Sequence, residues 1–246
     1  MSGLALAAAV LIGLALGLTG AGGSILTLPI LVYLAGIAPR EAVAMSLLVV
    51  GAVSMVGAIQ RARVGELHYQ AMGWFSLAGM AGAAVGARFT HWVSADVLLM
   101  MFAVLMVVVG LRMWMAGPTV MECGPECRPV RCFFAGALVG VLTGFLGVGG
   151  GFLLMPALVR FARLRMGMAM GTSLAVIAFN SLAGFLSHAG EAKIQWAMTG
   201  VFLVMAVAGV LAGGVLAKRL PERLLKRVFG GLVLVTALVV FWSVWI

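Results

Sequence analysis

The chain repeats one pattern of glycines and a proline, and this repetition limits the folds that it can adopt. Residues 17–29 read GLTGAGGSILTLP and residues 144–156 read GFLGVGGGFLLMP, so the two copies lie 127 positions apart. At that offset the chain continues to match itself without a gap as far as Phe102 and Phe229. A register held over this length indicates an internal duplication, in which both halves have the same fold.

The duplication predicts two membrane repeats, residues 3–115 and 132–246, joined by a short polar linker at 116–131. Each half divides into five apolar segments, and corresponding segments occupy corresponding positions. They cover roughly 3–19, 24–36, 42–59, 70–88 and 96–115 in the first half, and 132–146, 151–162, 167–187, 196–217 and 224–245 in the second.

The apolar segments are typical of an integral membrane protein. Hydrophobic residues make up 64% of the chain and charged residues 9%, with a mean hydropathy of +1.20. A soluble domain carries roughly 25% charged residues, so this chain lacks the polar surface that water requires. The stretches 97–111 and 197–217 contain no charge at all. We therefore predict an all-α integral membrane protein whose outer surface contacts the lipid bilayer.

The second segment of each half is too short to cross the bilayer. Residues 24–36 would form a helix of about 20 Å, whereas the hydrocarbon core measures about 30 Å. If the first two segments form a re-entrant hairpin and the next three cross, 13 of the 16 Lys and Arg residues fall on one side, and only Arg40, Arg88 and Lys193 on the other. If each half instead crosses the membrane four times, the best division of these basic residues between the two sides is ten against six. The positive-inside rule therefore predicts two inverted repeats, with both termini outside and the linker in the cytoplasm.

The glycines fall at the tip of each predicted hairpin, and two tips entering from opposite faces would meet near the midplane. Glycine lets the backbone turn sharply and lets a ligand approach it closely. The helix that follows begins with free N–H groups and a positive dipole end, which attract anions. We therefore predict a site for a small anion, although close helix packing is an alternative role for such glycines. Its residues are Gly20, Gly22, Gly23, Ser24 and Pro29 in the first half, and Gly147, Gly149, Gly150, Gly151 and Pro156 in the second.

Four polar residues inside the apolar segments are further candidates. Thr172 and Ser173, with Ser46 at the position that matches Ser173, carry hydroxyls that could bind the oxygens of a substrate. Alternatively, these hydroxyls bond carbonyls of their own helices. Asn180 is the amide that lies deepest in a segment, where it indicates either a pore-lining residue or an interhelical hydrogen bond.

The remaining features argue against nucleic acid, a metal, a cofactor and catalysis. The net charge of +9 comes from short loops, and the positive-inside bias explains it without nucleic acid. Cys123, Cys127 and Cys132 are placed on the inner face, where thiols stay reduced, and they lack the fourth ligand and the paired spacing of a zinc site. No nucleophile, base and orienting group cluster within the segments, so we do not predict an enzyme.

The two glycine–proline motifs, together with GTSL at 171–174, resemble those of the sulfite exporter TauE/SafE family. The resemblance extends over nearly the whole chain. It implies a bacterial inner-membrane permease for sulfite, sulfonates or related organosulfur anions. It also implies that the glycines and prolines of both motifs, with Thr172 and Ser173, belong to the substrate site. The first half has Ser24 where the second has Gly151, so equal roles for the two tips are not expected.

Two other functions remain open from the sequence. An anion channel of the same architecture would need no alternating access and would show a linear, very high flux. A non-transporting membrane partner, such as a metal-delivery or assembly factor, would depend on the three cysteines. A monomer and a homo-oligomer are both compatible with the sequence.

Overall fold

A computed structural model gives the structure of the protein and describes residues 3–21, 23, 27, 30–31, 36–37, 39–89, 95–115, 129–146, 151–188 and 195–245. Within these ranges the regular secondary structure is entirely helical, as the apolar segments predict. The helices are α1 (Gly3–Thr19), α2 (Pro39–Ala62), α3 (Tyr69–Phe89), α4 (Ala95–Met115), α5 (Pro129–Leu146), α6 (Gly151–Phe161), α7 (Met166–His188), α8 (Trp196–Ala217) and α9 (Glu222–Trp245).

The bounds of the helices follow the predicted segments and the 127-residue offset. The helices α1 and α8 coincide with segments 3–19 and 196–217. Shifted by the offset, α1, α2, α3 and α4 fall on α5, α7, α8 and α9 within a few residues at each end. Most of the predicted segment 24–36 lies outside the described residues, whereas its counterpart α6 begins at Gly151, where the sequence predicts it.

Four of the described helices are long and apolar enough to cross a membrane. The candidate spans are Glu41–Ala62, Met166–Leu186, Trp196–Ala217 and Glu222–Phe241, and shorter apolar helical stretches cover Leu6–Thr19, Ala103–Met115 and Val130–Thr143. Large apolar side chains are exposed along the outside of these helices, among them Val104, Val204 and Leu238. Lipid, unlike water, solvates such a surface without a free-energy cost. The protein is therefore a multi-pass membrane protein.

Helix α1 packs closely against α8, and α3 packs closely against α5, through glycines that leave no room for a side chain. A Cβ atom at Gly209 would overlap the backbone carbonyl of Val10, and one at Gly82 would overlap that of Ala137. The two contacts are the same contact at the 127-residue offset. These glycines permit close approach of the backbones, which is the packing role that small residues have between membrane helices.

Helices α2 and α7 lie side by side at the centre of the fold and run in opposite directions. Gly51 lies against Ser181 and Gly57 lies against Leu174, so higher residue numbers on α2 meet lower ones on α7. The pair α4 and α9 is also antiparallel, because Gly110 lies against Leu234 and Gly231 lies against Trp114. Each of these pairs joins a helix to its own counterpart in the other half. The start of α7 meets the ends of α1 and α2, and this meeting point holds most of the polar contacts described below.

Candidate functional site

The first glycine break begins with a left-handed residue that ends α1. The N–H of Gly20 donates to the carbonyl of Leu16 at 2.7 Å, and the φ angle of Gly20 is +74°. This is the usual end of a helix at a glycine, whose lack of a Cβ removes the cost of positive φ. A Cβ at this position would also lie 2.7 Å from the Cα of Met170, so the break is packed directly on α7.

Ser173 connects the break to α7. Its hydroxyl donates to the carbonyl of Gly20 at 2.9 Å and to the carbonyl of Met170 at 2.9 Å. A hydroxyl has a single proton, so these two carbonyls share it. Met170 and Ser173 lie in the second turn of α7, so this break is closer to the beginning of α7 than to its middle, whereas the sequence predicts a tip near the midplane.

Helix α2 ends beside the same point in a turn that fixes the residues after it. The N–H of Glu66 donates to the carbonyl of Arg61 at 3.0 Å, and the N–H of Gly65 donates to the carbonyl of Ala62 at 3.0 Å. Gly65 has a φ angle of +73°. These two bonds and the left-handed glycine form a Schellman motif, which places residue 66 directly over residue 61.

Arg61 is a buried cation in this turn, whereas the sequence analysis counted it among the basic residues of the short loops. Its side chain is 3% exposed and forms an ion pair with Glu66 through Nη1. Its Nη2 donates to the carbonyl of Gly17 at 3.2 Å and to the Sδ of Met170 at 3.4 Å. The carbonyl of Gly17 belongs to the last turn of α1, which has no helical donor of its own and carries negative dipole charge. Arg61 thus joins the ends of α1 and α2 to the start of α7.

His68 and Thr172 complete the contact between the α2–α3 turn and α7. The backbone N–H of His68 donates to the hydroxyl oxygen of Thr172 at 3.1 Å. The Nδ1 atom of His68 accepts from the N–H of Ala71 at 3.1 Å. His68 is therefore the N-cap of α3, and its imidazole satisfies a free donor of the first turn.

The structure brings together three of the predicted site residues and places others elsewhere. Gly20, Thr172 and Ser173 meet at the start of α7, whereas Gly23 is buried against Ile12 and Leu16 of α1. Ser46 donates to the carbonyl of Val43 within α2, so its hydroxyl bonds its own helix.

In the second half, two predicted site residues belong to α6. Gly151 is its first residue and is buried, and Pro156 lies inside the helix. Six of the predicted residues lie outside the described part of the chain: Gly22, Ser24, Pro29, Gly147, Gly149 and Gly150.

Asn180 lies in α7 at its contact with α3, away from the α2–α3 turn. A Cβ atom at Gly79 would lie 3.5 Å from the Asn180 Nδ2. The Oδ1 atom of Asn180 is buried, and it has no hydrogen-bond partner among the residues that the structure describes. An unpaired buried carbonyl oxygen is costly, so Asn180 remains a candidate for contact with a substrate or water.

The cysteines do not form the predicted set of free thiols. Cys132 is fully buried at the start of α5 and is disulfide-bonded, so the expectation of a reduced thiol is wrong at this position. Cys123 and Cys127 lie outside the described residues. Among the residues that are described, no group of His, Cys, Asp and Glu side chains has the arrangement of a metal site.

Comparison with known proteins identifies the family. The sequence profile of the sulfite exporter TauE/SafE family matches residues 5–240. The chain belongs to this family. The TauE/SafE proteins are membrane transporters, which agrees with the prediction that the chain is not an enzyme and confirms the resemblance seen in the two motifs.

Several relatives of this TauE/SafE protein are similar over most of its length. A probable membrane transporter protein of Xylella fastidiosa (strain 9a5c) is 34% identical over 242 residues, which are 96% of this chain and 93% of the relative. The probable membrane transporter protein YfcA of Escherichia coli (strain K12) is 27% identical over 213 residues, or 83% of this chain and 77% of the relative. No solved structure gives a significant match.

Proposed function

We propose that this TauE/SafE protein is a permease that moves small sulfur-containing oxyanions, such as sulfite or a sulfonate, across the bacterial inner membrane. The family name supports the substrate class. Sulfite and sulfonate are compact anions with several acceptor oxygens, and they suit a site built from N–H donors and a guanidinium.

The proposed architecture is a pair of inverted repeats, residues 3–115 and 132–246, on either side of a cytoplasmic linker, with both termini outside. The antiparallel pairs α2–α7 and α4–α9 support it, because each pair joins counterparts of the two halves. Inverted repeats with broken helices between them are typical of secondary transporters, whose halves move relative to one another.

The meeting of the glycine break with α7 supports the location of the anion path. Gly20 is held by Ser173, and the buried Arg61 lies one turn of α1 away, beside the carbonyl of Gly17. A buried cation beside the backbone of the glycine break is the feature that most favours an anion as cargo. In this proposal the helix starts at the two breaks provide N–H donors, and Arg61 adds a charge that the sequence did not predict there.

The test is a flux measurement on the purified protein in proteoliposomes. We expect saturable flux of sulfite or methanesulfonate, and no comparable flux of a cation of similar size. A linear flux that never saturates would indicate a channel instead. If neither anion is transported or bound, the proposed substrate class is wrong.

Ser24 provides a sharper test of the site, because it belongs to the first motif and can be given a charge. Ser24→Asp would place a fixed negative charge at the proposed anion position and should weaken anion binding by about tenfold, since charges at buried helix ends are worth up to about 2 kcal/mol. Ser24→Ala should cost little at equal expression. Equal sulfite binding by Ser24→Asp and the wild type would show that the anion does not meet this break.

A further inference from the structure

The Arg61 guanidinium lies in a place where a cation is costly. Its side chain is 3% exposed, and Glu66 is the one carboxylate paired with it in the described structure. The other partners are a carbonyl oxygen and the sulfur of Met170, which is a weak acceptor. The buried Nε–H has no partner among the described residues. The charge of Arg61 is therefore balanced by a single group, and one of its donors remains unused.

Glu66 is the more accessible member of the pair. Its side chain is 31% exposed, against 3% for Arg61. The Schellman turn holds the backbone of Glu66 over Arg61, but the carboxylate can leave by side-chain rotation alone. A solute that reaches the carboxylate therefore reaches the guanidinium as soon as the pair opens.

We propose that Glu66 is an internal anion, and that the transported oxyanion displaces its carboxylate from Arg61. This inference deepens the proposed function and rests on it. The sulfur oxyanions and the carboxylate present oxygens that accept from a guanidinium in the same forked geometry. An incoming oxyanion takes the bond from Nη1 and can also accept from the free Nε–H, so the exchange leaves no buried charge unpaired.

Thr172 lies at the same junction and has the right chemistry to take part. Its hydroxyl oxygen accepts from the N–H of His68, and within the described chain its proton is donated to no acceptor. The neighbouring Gly171 contacts the Arg61 Cβ, because a Cβ at Gly171 would lie 3.0 Å from it. A displaced Glu66 thus exposes a guanidinium with a hydroxyl donor close by.

A second ion pair provides a matched control. Lys226 is paired with Glu222 at 3.1 Å on α9, with exposed fractions of 3% and 36%, close to those of Arg61 and Glu66. Both pairs therefore have a buried cation and a partly exposed carboxylate. The Lys226 pair lies within a single helix and forms no part of the turn that holds Arg61 and Glu66, so no effect on the displacement of Glu66 is expected from it.

The test measures sulfite binding by the full-length protein in detergent, by calorimetry, for the wild type, Glu66→Gln and Glu222→Gln. If the Arg61–Glu66 ion pair is open about a tenth of the time, removing the Glu66 carboxylate should lower the apparent dissociation constant for sulfite about tenfold. We expect that gain for Glu66→Gln and no change for Glu222→Gln. Arg61→Gln should lose sulfite binding even when combined with Glu66→Gln, which leaves no buried charge. Unchanged or weaker sulfite binding by Glu66→Gln overturns the inference.

A stability measurement covers the case in which Glu66→Gln is too unstable for calorimetry. Sulfite should then raise the thermal midpoint of Glu66→Gln more than that of the wild type, because the anion replaces the missing carboxylate. An equal or smaller rise overturns the inference. Binding to the wild type with no gain in Glu66→Gln leaves the proposed function standing and removes only Glu66 as a competitor. If sulfite and methanesulfonate bind neither protein, the inference and the proposed function both fail.

Discussion

The second turns of α2 and α7 are counterparts in the two halves, and they show where the halves have diverged. Ser46 donates to the carbonyl of Val43 at 2.8 Å, and Ser173 donates to that of Met170 at 2.9 Å, so the same local bond is present in both. Only Ser173 is also seen to reach across to the end of another helix, at Gly20. The helix is repeated, and so is its packing, since Gly57 lies against Leu174 and Gly184 lies against Leu47. The bond to the end of another helix is described for Ser173 and not for Ser46.

The residue two positions earlier explains part of the difference. Helix α7 has Gly171 where α2 has Ala44. The backbone carbonyl of Glu66 occupies the space that a Cβ at Gly171 would need. Because glycine leaves this space free, the turn with Arg61 and Glu66 can rest on α7. One end of the α2–α7 pair therefore supports a charged turn, which rests on α7 at Gly171.

The largest expected effect comes from filling the space at Gly171 against which this turn packs. Gly171→Ala should displace the turn, lower the stability of the fold by about 1–3 kcal/mol through overpacking and abolish sulfite flux. The counterpart change, Ala44→Gly, should cost about 1 kcal/mol through helix propensity and retain flux. Thermal unfolding in detergent and flux at equal expression measure the two effects. Similar stability of Gly171→Ala and the wild type would contradict the packing argument.

The next effect concerns the turn itself. Gly65→Ala should cost about 1–2 kcal/mol, because a residue with a Cβ is strained at positive φ. No atom lies within 4 Å of the position of that Cβ, so the effect is due to the backbone alone. Gly65→Asn should cost less, since asparagine tolerates this conformation better. Equal thermal midpoints for the alanine and asparagine variants would show that the strain is not the cause.

A smaller effect is expected where the two halves use different residues for the same backbone shape. Gly36 and its counterpart Arg163 both have positive φ, at +68° and +50°. Arg163→Gly should stabilise the protein by about 1 kcal/mol, and Gly36→Ala should destabilise it by a similar amount. A loss of stability in Arg163→Gly would mean that the arginine side chain contributes more than its backbone strain costs.

The smallest effect tests positions where the halves agree. Gly73 and its counterpart Gly200 are helical, and a Cβ at either would meet no atom within 4 Å. Gly73→Ala and Gly200→Ala should each stabilise the protein by about 0.5–1 kcal/mol, because alanine loses less conformational freedom on folding. Both variants should keep wild-type sulfite flux. A clear difference between them would reveal an asymmetry that their surroundings do not show.

The sequence predicts the helices well, because an apolar segment in a bilayer must satisfy its own backbone and can do so only as a helix. The prediction did not identify Arg61 as a buried residue, because it counted Arg61 among the basic residues of the short loops. A signal was present, since a left-handed glycine at the end of a helix brings together residues five positions apart, here 61 and 66. The burial of Arg61 could not be read from the local sequence, because its partners Gly17 and Met170 are 44 and 109 positions away.

The packing of α1 against α8, a helix of the other half, bears on the order in which the chain is made. Helix α1 leaves the ribosome well before α8, whose glycine surface packs against it and which is completed almost 200 residues later. Until α8 enters the membrane, the face of α1 formed by Gly13 and Gly17 lacks the helix that packs against it. Helix α1 therefore acquires this neighbour late in synthesis, and a defect in α8 would leave the glycine face of α1 uncovered and open to quality-control proteases.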